Sequence, residues 1–379
     1  MTILIAPDSF KGSLSAREVA HSIREAIAEV LPQAQCIEMP LSDGGEGLVD
    51  VLNRVLEGTL HSTEVSGPLS GQRVTAVWSL ASSPRLAVIE MAEAAGLQRV
   101  AKGERNPGLT TTYGVGELLG AALDERVEGI ILGVGGSATN DGGAGMAEAL
   151  GVRLLNAKGM RLGQGGLALR ELASIDTRRL DARLRGVSIR VACDVQNLLL
   201  GPEGATATYA PQKGARWSDL PMLESGLQRL AETIHRDLRI DIRQLPGGGA
   251  AGGLAAGLAA FCGARLEQGI ELVLEMVEFD AALAQSDLVI TGEGRLDRQT
   301  AQGKVLSGVL GHAHRMRKPV VAVVGSCEGP PESFIGPEKL EDLQQLVSAS
   351  THLDQAIANA SSLIRDRTIA LLRRLVAWS

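Results

Sequence analysis

Residues 133–146 of this chain read GVGGSATNDGGAGM. The apolar run Ile130-Ile131-Leu132 before them predicts a buried strand, and residues 147–150 after them predict a helix. A glycine-rich turn between a strand and a helix lets a ligand approach the backbone and points N–H groups at an anion such as phosphate. The same pattern also fits a tight turn in which Asp141 is the N-cap residue of the helix. This stretch alone favours neither interpretation.

The composition limits the class of protein. The chain has 379 residues, of which 45% are hydrophobic and only 2% aromatic. This length predicts two domains, and cores built from Ala, Val, Leu and Ile are typical of layered α/β proteins. The net charge of −7 argues against nucleic acid or an anionic membrane as a partner. Four widely spaced cysteines without a Cys-x-x-Cys pair indicate free thiols in a reducing compartment. Because we find neither a basic signal sequence nor a strongly apolar span, we expect a cytoplasmic protein.

The order of predicted elements indicates one domain interrupted by another. Strands and helices alternate at both ends of the chain, beginning with a strand at residues 2–6 and a helix that starts at the capping box Ser15-x-x-Glu18. This alternation predicts a parallel sheet, whereas the strands at the start of the middle part are more antiparallel in character. We therefore predict a discontinuous α/β domain of residues 1–66 and 262–379. An α/β domain of residues 67–261, which carries the glycine-rich stretch, is inserted into it.

Two further segments give specific predictions. The uncharged run 245–264 consists mostly of Gly and Ala, so it predicts a loop and a thin, closely packed helix. Residues 353–376 predict a single terminal helix.

Charged side chains follow several predicted strands, and ligands bind at the carboxyl ends of parallel strands. These side chains are Asp8, Lys11, Asp43, Glu46, Glu293, Arg295 and Asp297 in the discontinuous domain, and Asp141 and Asp194 in the inserted domain. Ordinary structural alternatives are an N-cap role for Asp43, a turn for Asp297, a solvated Lys11 and an ion pair of Arg295 with Glu293. Neighbouring carboxylates repel one another unless a cation separates them, and Mg²⁺ bound by one or two carboxylates and substrate phosphates meets that need. The combination favours phosphoryl transfer.

Several other kinds of site are excluded by their missing motifs. The chain has no Gly-x-x-x-x-Gly-Lys-Ser/Thr loop and no Gly-x-Ser-x-Gly nucleophile elbow. The glycine-rich stretch begins GVGGSA, which does not match the dinucleotide pattern Gly-x-Gly-x-x-Gly. The six histidines are scattered along the chain, which argues against a zinc site.

Six stretches taken together resemble the type I glycerate kinase family. They are APDSFKGS at 6–13, LSDGGEG at 41–47, GGSATNDGG at 135–143, ACDV at 192–195, PQKGA at 211–215 and TGEGRLD at 291–297. They occur in the family's order, and the resemblance covers essentially the whole chain. It implies a flavodoxin-like parallel-sheet domain interrupted by a second, inserted α/β domain. It also implies ATP-dependent phosphorylation of D-glycerate, commonly at the 2-hydroxyl in bacterial members.

We assign roles to the matching residues as hypotheses. Asp194 orients the acceptor hydroxyl, while Lys11 and Arg295 bind the glycerate carboxylate or the transferring phosphoryl group. Asp8 and Ser9 complete the substrate site. The carboxylates of Asp43, Glu293 and Asp297 hold Mg²⁺ directly or through water. The residues assigned to the nucleotide phosphates of ATP are Gly135, Gly136, Ser137, Thr139, Asn140, Gly142, Gly143 and Lys213.

Phosphoryl transfer needs aligned, dry reactants, so we expect it to take place in a cleft that closes between the domains. Two other functions stay open: a Mg²⁺-dependent sugar-acid dehydratase or phosphatase, and a non-catalytic sensor of a hydroxy acid. The sequence leaves open whether the 2- or the 3-hydroxyl is the acceptor, and whether the protein is a monomer or an oligomer.

Overall fold

The structure, a computed structural model, describes residues 1–296, 304–336, 339–348 and 351–378. The chain divides into two compact units. Unit 1 comprises Met1–Asp43 and Ile270–Ser379, and unit 2 comprises Gly44–Gly269.

The elements are numbered in chain order over the described residues. The strands are β1 (Thr2–Pro7), β2 (Gln35–Glu38), β3 (Thr59–Ser66), β4 (Arg73–Ser82), β5 (Arg85–Glu90), β6 (Gly129–Gly133), β7 (Arg153–Asn156), β8 (Leu172–Asp176), β9 (Ser188–Ala192), β10 (Arg265–Glu267), β11 (Leu288–Gly292), β12 (Arg295–Leu296), β13 (Val320–Val324), β14 (Ser326–Cys327) and β15 (Asp342–Gln345). The α-helices are α1 (Ala16–Val30), α2 (Leu48–Val55), α3 (Ala92–Ala95), α4 (Tyr113–Asp124), α5 (Ala144–Ala149), α6 (Ala205–Tyr209), α7 (Leu220–Leu238), α8 (Leu254–Cys262), α9 (Gly269–Met276), α10 (Phe279–Ala284), α11 (Val305–Arg315), α12 (Leu353–Ala358) and α13 (Ala360–Trp378).

Unit 1 is built on a five-stranded parallel sheet in the order β15-β13-β11-β1-β2. If these strands are counted as they occur along the chain, the order is 2-1-3-4-5, which is the flavodoxin-like arrangement. The predicted fold class is therefore confirmed.

The sheet of unit 1 is buried on both faces. Helices α1 and α13 cover one face, where Ile3, Ile5 and Ile364 belong to one apolar cluster. The side chains of Leu4 and Val289 point to the other face, because successive residues of a strand alternate, and both are fully buried. The predicted capping box is present, since Ser15 and Glu18 bond each other's backbone N–H at the start of α1.

Unit 2 contains a six-stranded mixed sheet in the order β10-β9-β6-β5-β4-β3. Strands β3, β4 and β5 pair antiparallel, as the sequence predicts for the start of the middle part, and β5, β6, β9 and β10 pair in parallel. A separate antiparallel pair is formed by β7 and β8. The core is mostly small and aliphatic, and its buried aromatic side chains among the described residues are Trp78 and Phe261, which are 1% and 5% exposed.

The boundaries between the units differ from the predicted ones. The chain passes from unit 1 to unit 2 after Asp43 and returns after Gly269, instead of after residues 66 and 261. Strand β3 pairs along its whole length with β4, and α2 packs against β4 and β5, so both belong to unit 2. Strand β10 pairs with β9 and holds residues 265–267 in the same unit.

Two helix predictions have mixed outcomes. The uncharged run forms a short 3-10 turn, Ala250–Gly253, followed by α8, as predicted. The terminal helix is divided at Asn359 into α12 and α13, which differs from the single helix that we expected. Among the described helices, none combines the length and the apolar composition needed to cross a bilayer.

Candidate active site

Unit 1 carries a cavity of about 360 Å³ at the carboxyl ends of its parallel strands. Asp8 follows β1 directly, Glu293 follows β11 and Leu346 follows β15. We name this cavity the strand-end pocket. Its polar side is formed by Asp8, Ser9, Lys11, Asp43, Glu293, Arg295 and Lys304, all of unit 1. The structure thus brings together every described residue that the sequence assigns to substrate or metal, while Asp297 lies outside the described residues.

Buried negative charge dominates the centre of the strand-end pocket. Asp8 is only 6% exposed and Glu293 only 4%. Burial, followed by the negative charges of Asp43 and Glu293, raises the pKa of Asp8 to about 8, although the Ser9 N–H and the Lys11 ammonium act in the opposite direction. Burial and the neighbouring carboxylates thus both disfavour the ionised form of Asp8.

The cations of the pocket are placed at its exposed side. The Lys11 ammonium lies 3.5 Å from the Asp43 carboxylate. Arg295 forms an ion pair of 3.7 Å with Glu328, a partner that the sequence does not predict. Asp43 is not a helix N-cap, because α2 has Gly47 at that position. The N-cap alternative for Asp43 is therefore not the one that the structure adopts, whereas the Lys11 side chain is 59% exposed and remains in contact with solvent.

Ser9 provides an observation that points to a ligand. Its backbone N–H donates to Asp8 Oδ1 at 2.6 Å. Its hydroxyl oxygen Oγ is buried and has no hydrogen-bond partner among the described residues. Since a buried hydroxyl without a partner is unfavourable, a bound ligand or ion that accepts or donates a hydrogen bond there would stabilise this arrangement.

The donor chemistry of the pocket fits Mg²⁺. Carboxylate and hydroxyl oxygens are the ligands that this ion prefers, and it usually keeps several waters and contacts only one or two carboxylates besides phosphate. Within the described ranges, no group of three or more His, Cys, Asp or Glu side chains is close enough to hold a metal by itself.

Sequence reasoning missed two parts of the pocket. One is Lys304, the N-cap residue of α11. Its position between a predicted strand-end motif and a predicted helix was the available signal. The other is an apolar side that we name the apolar wall, which consists of Phe10, Leu346, Leu353, Ala356, Ile357 and Ala360.

The Gly loop, residues 133–146, lies in unit 2, and its end at α5 is buried. The fully buried Asp141 carboxylate accepts hydrogen bonds from the N–H groups of Gly143 and Gly145 at 3.2 Å each. It also accepts from the N–H and the hydroxyl of Thr112 at 2.8 and 2.9 Å. Burial raises the pKa of Asp141, and these hydrogen bonds oppose the rise. Asp141 is thus neither the N-cap of α5, which is Gly143, nor an accessible side chain.

Lys213 supports the Gly loop from inside. Its ammonium is buried and donates to Ser137 Oγ at 2.7 Å and to the Thr139 carbonyl oxygen at 2.8 Å. Burial lowers the pKa of Lys213 to about 7. Of the assigned phosphate ligands, Gly135 and Gly136 are exposed, whereas Thr139 and Asn140 are fully buried. The structure therefore brings Lys213 and the Gly loop together, but only the beginning of the loop is open to solvent.

Asp194 lies in unit 2, just after β9. Its carboxylate accepts a hydrogen bond of 2.8 Å from the N–H of Gly269. Because Ala192 at the end of β9 pairs with Gly133 at the end of β6, Asp194 and the Gly loop leave the sheet at the same edge. Asp194 is thus grouped with the Gly loop within its unit.

Comparison with known proteins decides the family. A model described as the glycerate kinase family matches residues 3–376. The chain is 46% identical over 373 residues to a glycerate kinase of Halalkalibacterium halodurans, which covers 98% of each chain. It is 46% identical over 326 residues to a glycerate 2-kinase of Escherichia coli, with 86% of this chain and 85% of the relative covered.

The chain belongs to the glycerate kinase family. The crystal structure of a protein assigned as glycerate kinase 2 from Salmonella typhimurium LT2 agrees with this membership. It matches with a TM-score of 0.87 and 47% identity, and covers 100% of this chain and 98% of that one. The resemblance inferred from the six stretches, and with it the identification as a kinase, is confirmed.

Proposed function

We propose that this chain transfers the γ-phosphoryl group of ATP to a hydroxyl of D-glycerate, with Mg²⁺ as the assisting ion. The observation that carries the proposal is the strand-end pocket, which combines carboxylates with the cations Lys11, Arg295 and Lys304 in a chain that belongs to the glycerate kinase family. Phosphoryl transfer requires these parts, because charge on the transferring group must be neutralised and the reactants must be aligned. The 2-hydroxyl is the favoured acceptor, since one relative is a glycerate 2-kinase.

The role of each charged group follows from its chemistry. Asp43 and Glu293 would hold Mg²⁺ directly or through water, and Asp297 is assigned to the same ion from the sequence, because it belongs to the same stretch as Glu293. When bound, the ion shields the negative charge of the phosphates. Lys11 and Arg295 bind the transferring phosphoryl group, and the side chains of both are exposed at the pocket. The Ser9 hydroxyl supplies a further polar contact to the substrate phosphates.

We assign to Asp194 the role of orienting the acceptor hydroxyl of glycerate. A carboxylate that accepts a hydrogen bond from the reacting hydroxyl orients it and takes up its proton as the new bond forms. One Asp194 oxygen accepts from the Gly269 N–H, which fixes the orientation of the side chain.

We also infer a cytoplasmic location, since all four cysteines are free thiols.

The decisive experiment is incubation of the protein with ATP, MgCl₂ and D-glycerate, followed by identification of the product by ³¹P NMR. We expect ADP and 2-phosphoglycerate in equal amounts, and no product when Mg²⁺ is chelated. Glu293→Gln is expected to be inactive, and Glu332→Gln, an exposed residue of unit 1, serves as the matched control. A lack of glycerate-dependent ADP formation would overturn the proposal, and 3-phosphoglycerate as the product would overturn the choice of hydroxyl.

The same experiment separates the two alternatives. A dehydratase or phosphatase would convert glycerate or phosphoglycerate without ATP, and a sensor would bind glycerate without consuming ATP. Family membership favours the kinase over both.

A further inference from the structure

The strand-end pocket has two sides of opposite chemistry. Its polar side carries the carboxylates and cations described above, and its other side is the apolar wall. Glycerate is a three-carbon acid in which every carbon bears oxygen, so it has no surface that an apolar wall would stabilise. A cavity of about 360 Å³ also falls in the size range of sites for ligands considerably larger than glycerate.

The apolar wall is exposed where it faces the cavity. Leu353 and Ile357 are 58% and 41% exposed, and they are one helical turn apart on α12. The small side chains of Ala356 and Ala360 also line the cavity, and they are buried in the apolar cluster that contains Ile3 and Ile5 of the sheet. Exposed apolar side chains that line a cavity are typical of a surface that a ligand with an apolar part covers.

The backbone N–H groups of the Gly loop at the start of α5 are already used by the protein, and only residues 135–137 of the predicted phosphate site remain open to solvent. The N–H groups of Gly142 and Ala144 bond to the carbonyl oxygens of Gly252 and Asp141. Those of Gly143 and Gly145 bond to the Asp141 carboxylate. The N–H of Met146 donates to the Thr112 hydroxyl at 3.0 Å. Asp141 thus supplies the negative charge that a phosphate would have brought, and five successive donors are already used.

We infer that the strand-end pocket is the nucleoside triphosphate site, with the base against the apolar wall and the phosphates at the polar side. This inference rests on the proposed function for the identity of the nucleotide as a phosphoryl donor. The cations Lys11, Arg295 and Lys304 neutralise the phosphates, and the carboxylates take the accompanying Mg²⁺. The base and the phosphates are thereby matched to the two sides of one pocket. This assignment places the nucleotide in unit 1, whereas the sequence analysis placed its phosphates at the Gly loop.

Photoaffinity labelling with 8-azido-ATP and Mg²⁺ tests this assignment on the full chain. Tryptic cleavage places most of the apolar wall in one peptide, residues 340–365, and the whole Gly loop in another, residues 127–153. We expect saturable label in 340–365 that ATP competes away and D-glycerate does not. Label confined to 127–153, or no saturable label, would overturn the inference.

A pair of variants gives an independent measurement. Ile357→Gln removes an apolar contact at an exposed position, so the fold should persist while the Kd of Mg²⁺-AMPPNP in calorimetry rises about 5- to 10-fold. Met316→Gln is the matched control, because Met316 is 37% exposed in unit 1 and does not line the pocket. Equal affinities of the two variants would contradict the inference.

These outcomes are distinguishable from those of the proposed function. Labelling and calorimetry need neither glycerate nor turnover, whereas the proposed function is judged by phosphoglycerate formation. Label in 340–365 without phosphoglycerate would uphold the pocket assignment and overturn the kinase activity. Phosphoglycerate formation with label only in 127–153 would uphold the kinase activity and overturn the pocket assignment.

Discussion

The Asp194 carboxylate accepts a hydrogen bond of 2.8 Å from the backbone N–H of Gly269, the residue at which the chain leaves unit 2. One oxygen of the proposed acceptor-binding carboxylate is therefore fixed by the main chain. Asparagine can keep this bond through its own carbonyl oxygen while it loses the negative charge.

Asp194→Asn is accordingly expected to lower kcat by about 10²–10⁴-fold with little change in thermal stability. Steady-state kinetics and thermal unfolding measure the two effects. Asp241→Asn, a change of an exposed carboxylate paired with Arg243, is the control and should retain full activity. If Asp194→Asn were as active as this control, Asp194 would not orient the acceptor.

Asp141 should matter for stability more than for chemistry. Asp141→Ala leaves the N–H groups of Thr112, Gly143 and Gly145 without their acceptor in a buried site. We expect a loss of about 3 kcal/mol in the free energy of unfolding, measured with urea. Asp141→Asn retains one acceptor oxygen and should lose only about 1 kcal/mol. Equal losses for the two variants would contradict this account of the Gly loop.

Two glycines of α4 form a matched pair. A Cβ at Gly116 would overlap the carbonyl oxygen of Met146 and lie 2.7 Å from Ala149 Cβ, whereas a Cβ at Gly120 would have no atom within 4 Å. Gly116→Ala should therefore destabilise unit 2 by about 2 kcal/mol or more, because α5 must move away. Gly120→Ala should stabilise it by about 0.5–1 kcal/mol through helix propensity. Chemical denaturation of both variants tests whether α4 and α5 are in contact at Gly116.

Lys213 makes stability depend on pH. Its native pKa of about 7 lies below the ordinary value of 10.5, so the unfolded chain binds more protons between these pH values. Stability should consequently rise with pH over that range, by on the order of 1 kcal/mol per pH unit between pH 7.5 and 9. Lys213→Met removes this contribution, whereas Lys158→Met, at an exposed position, should retain it. Parallel slopes for Lys213→Met and the wild type would show that Lys213 is charged in the native state.

The flavodoxin-like sheet was predictable because its strands are continuous apolar runs separated by helices, and the polar side of the pocket followed from the residues at the strand ends. The domain boundaries were less predictable. The periodicity of α2 shows that one face is buried, but not that β4 and β5 form the surface on which it packs. The pairing of β3 with β4 likewise depends on tertiary structure, which the local sequence pattern does not show.

The Gly loop shows a second limit of sequence reasoning. Its composition indicates many free backbone donors, but cannot show that the Asp141 side chain turns back to accept from them. Nor can the pattern of α12 show that Leu353 and Ile357 remain exposed, since their spacing is that of any buried helix face. Both features depend on packing between segments that are distant in the chain.

The pairing of β1 with β11 has a consequence for how this protein is made. The Thr291 hydroxyl donates to the carbonyl oxygen of Ala6 across 285 residues of sequence. Translation of those residues takes about 15–60 seconds, and during that time β1 lacks its neighbour β11. Unit 2 is continuous, and every strand of its sheet is synthesised before β11. The nascent chain should therefore complete its inserted part first, while the apolar segment Ile3-Leu4-Ile5 remains a substrate for chaperones until the last third of the polypeptide arrives.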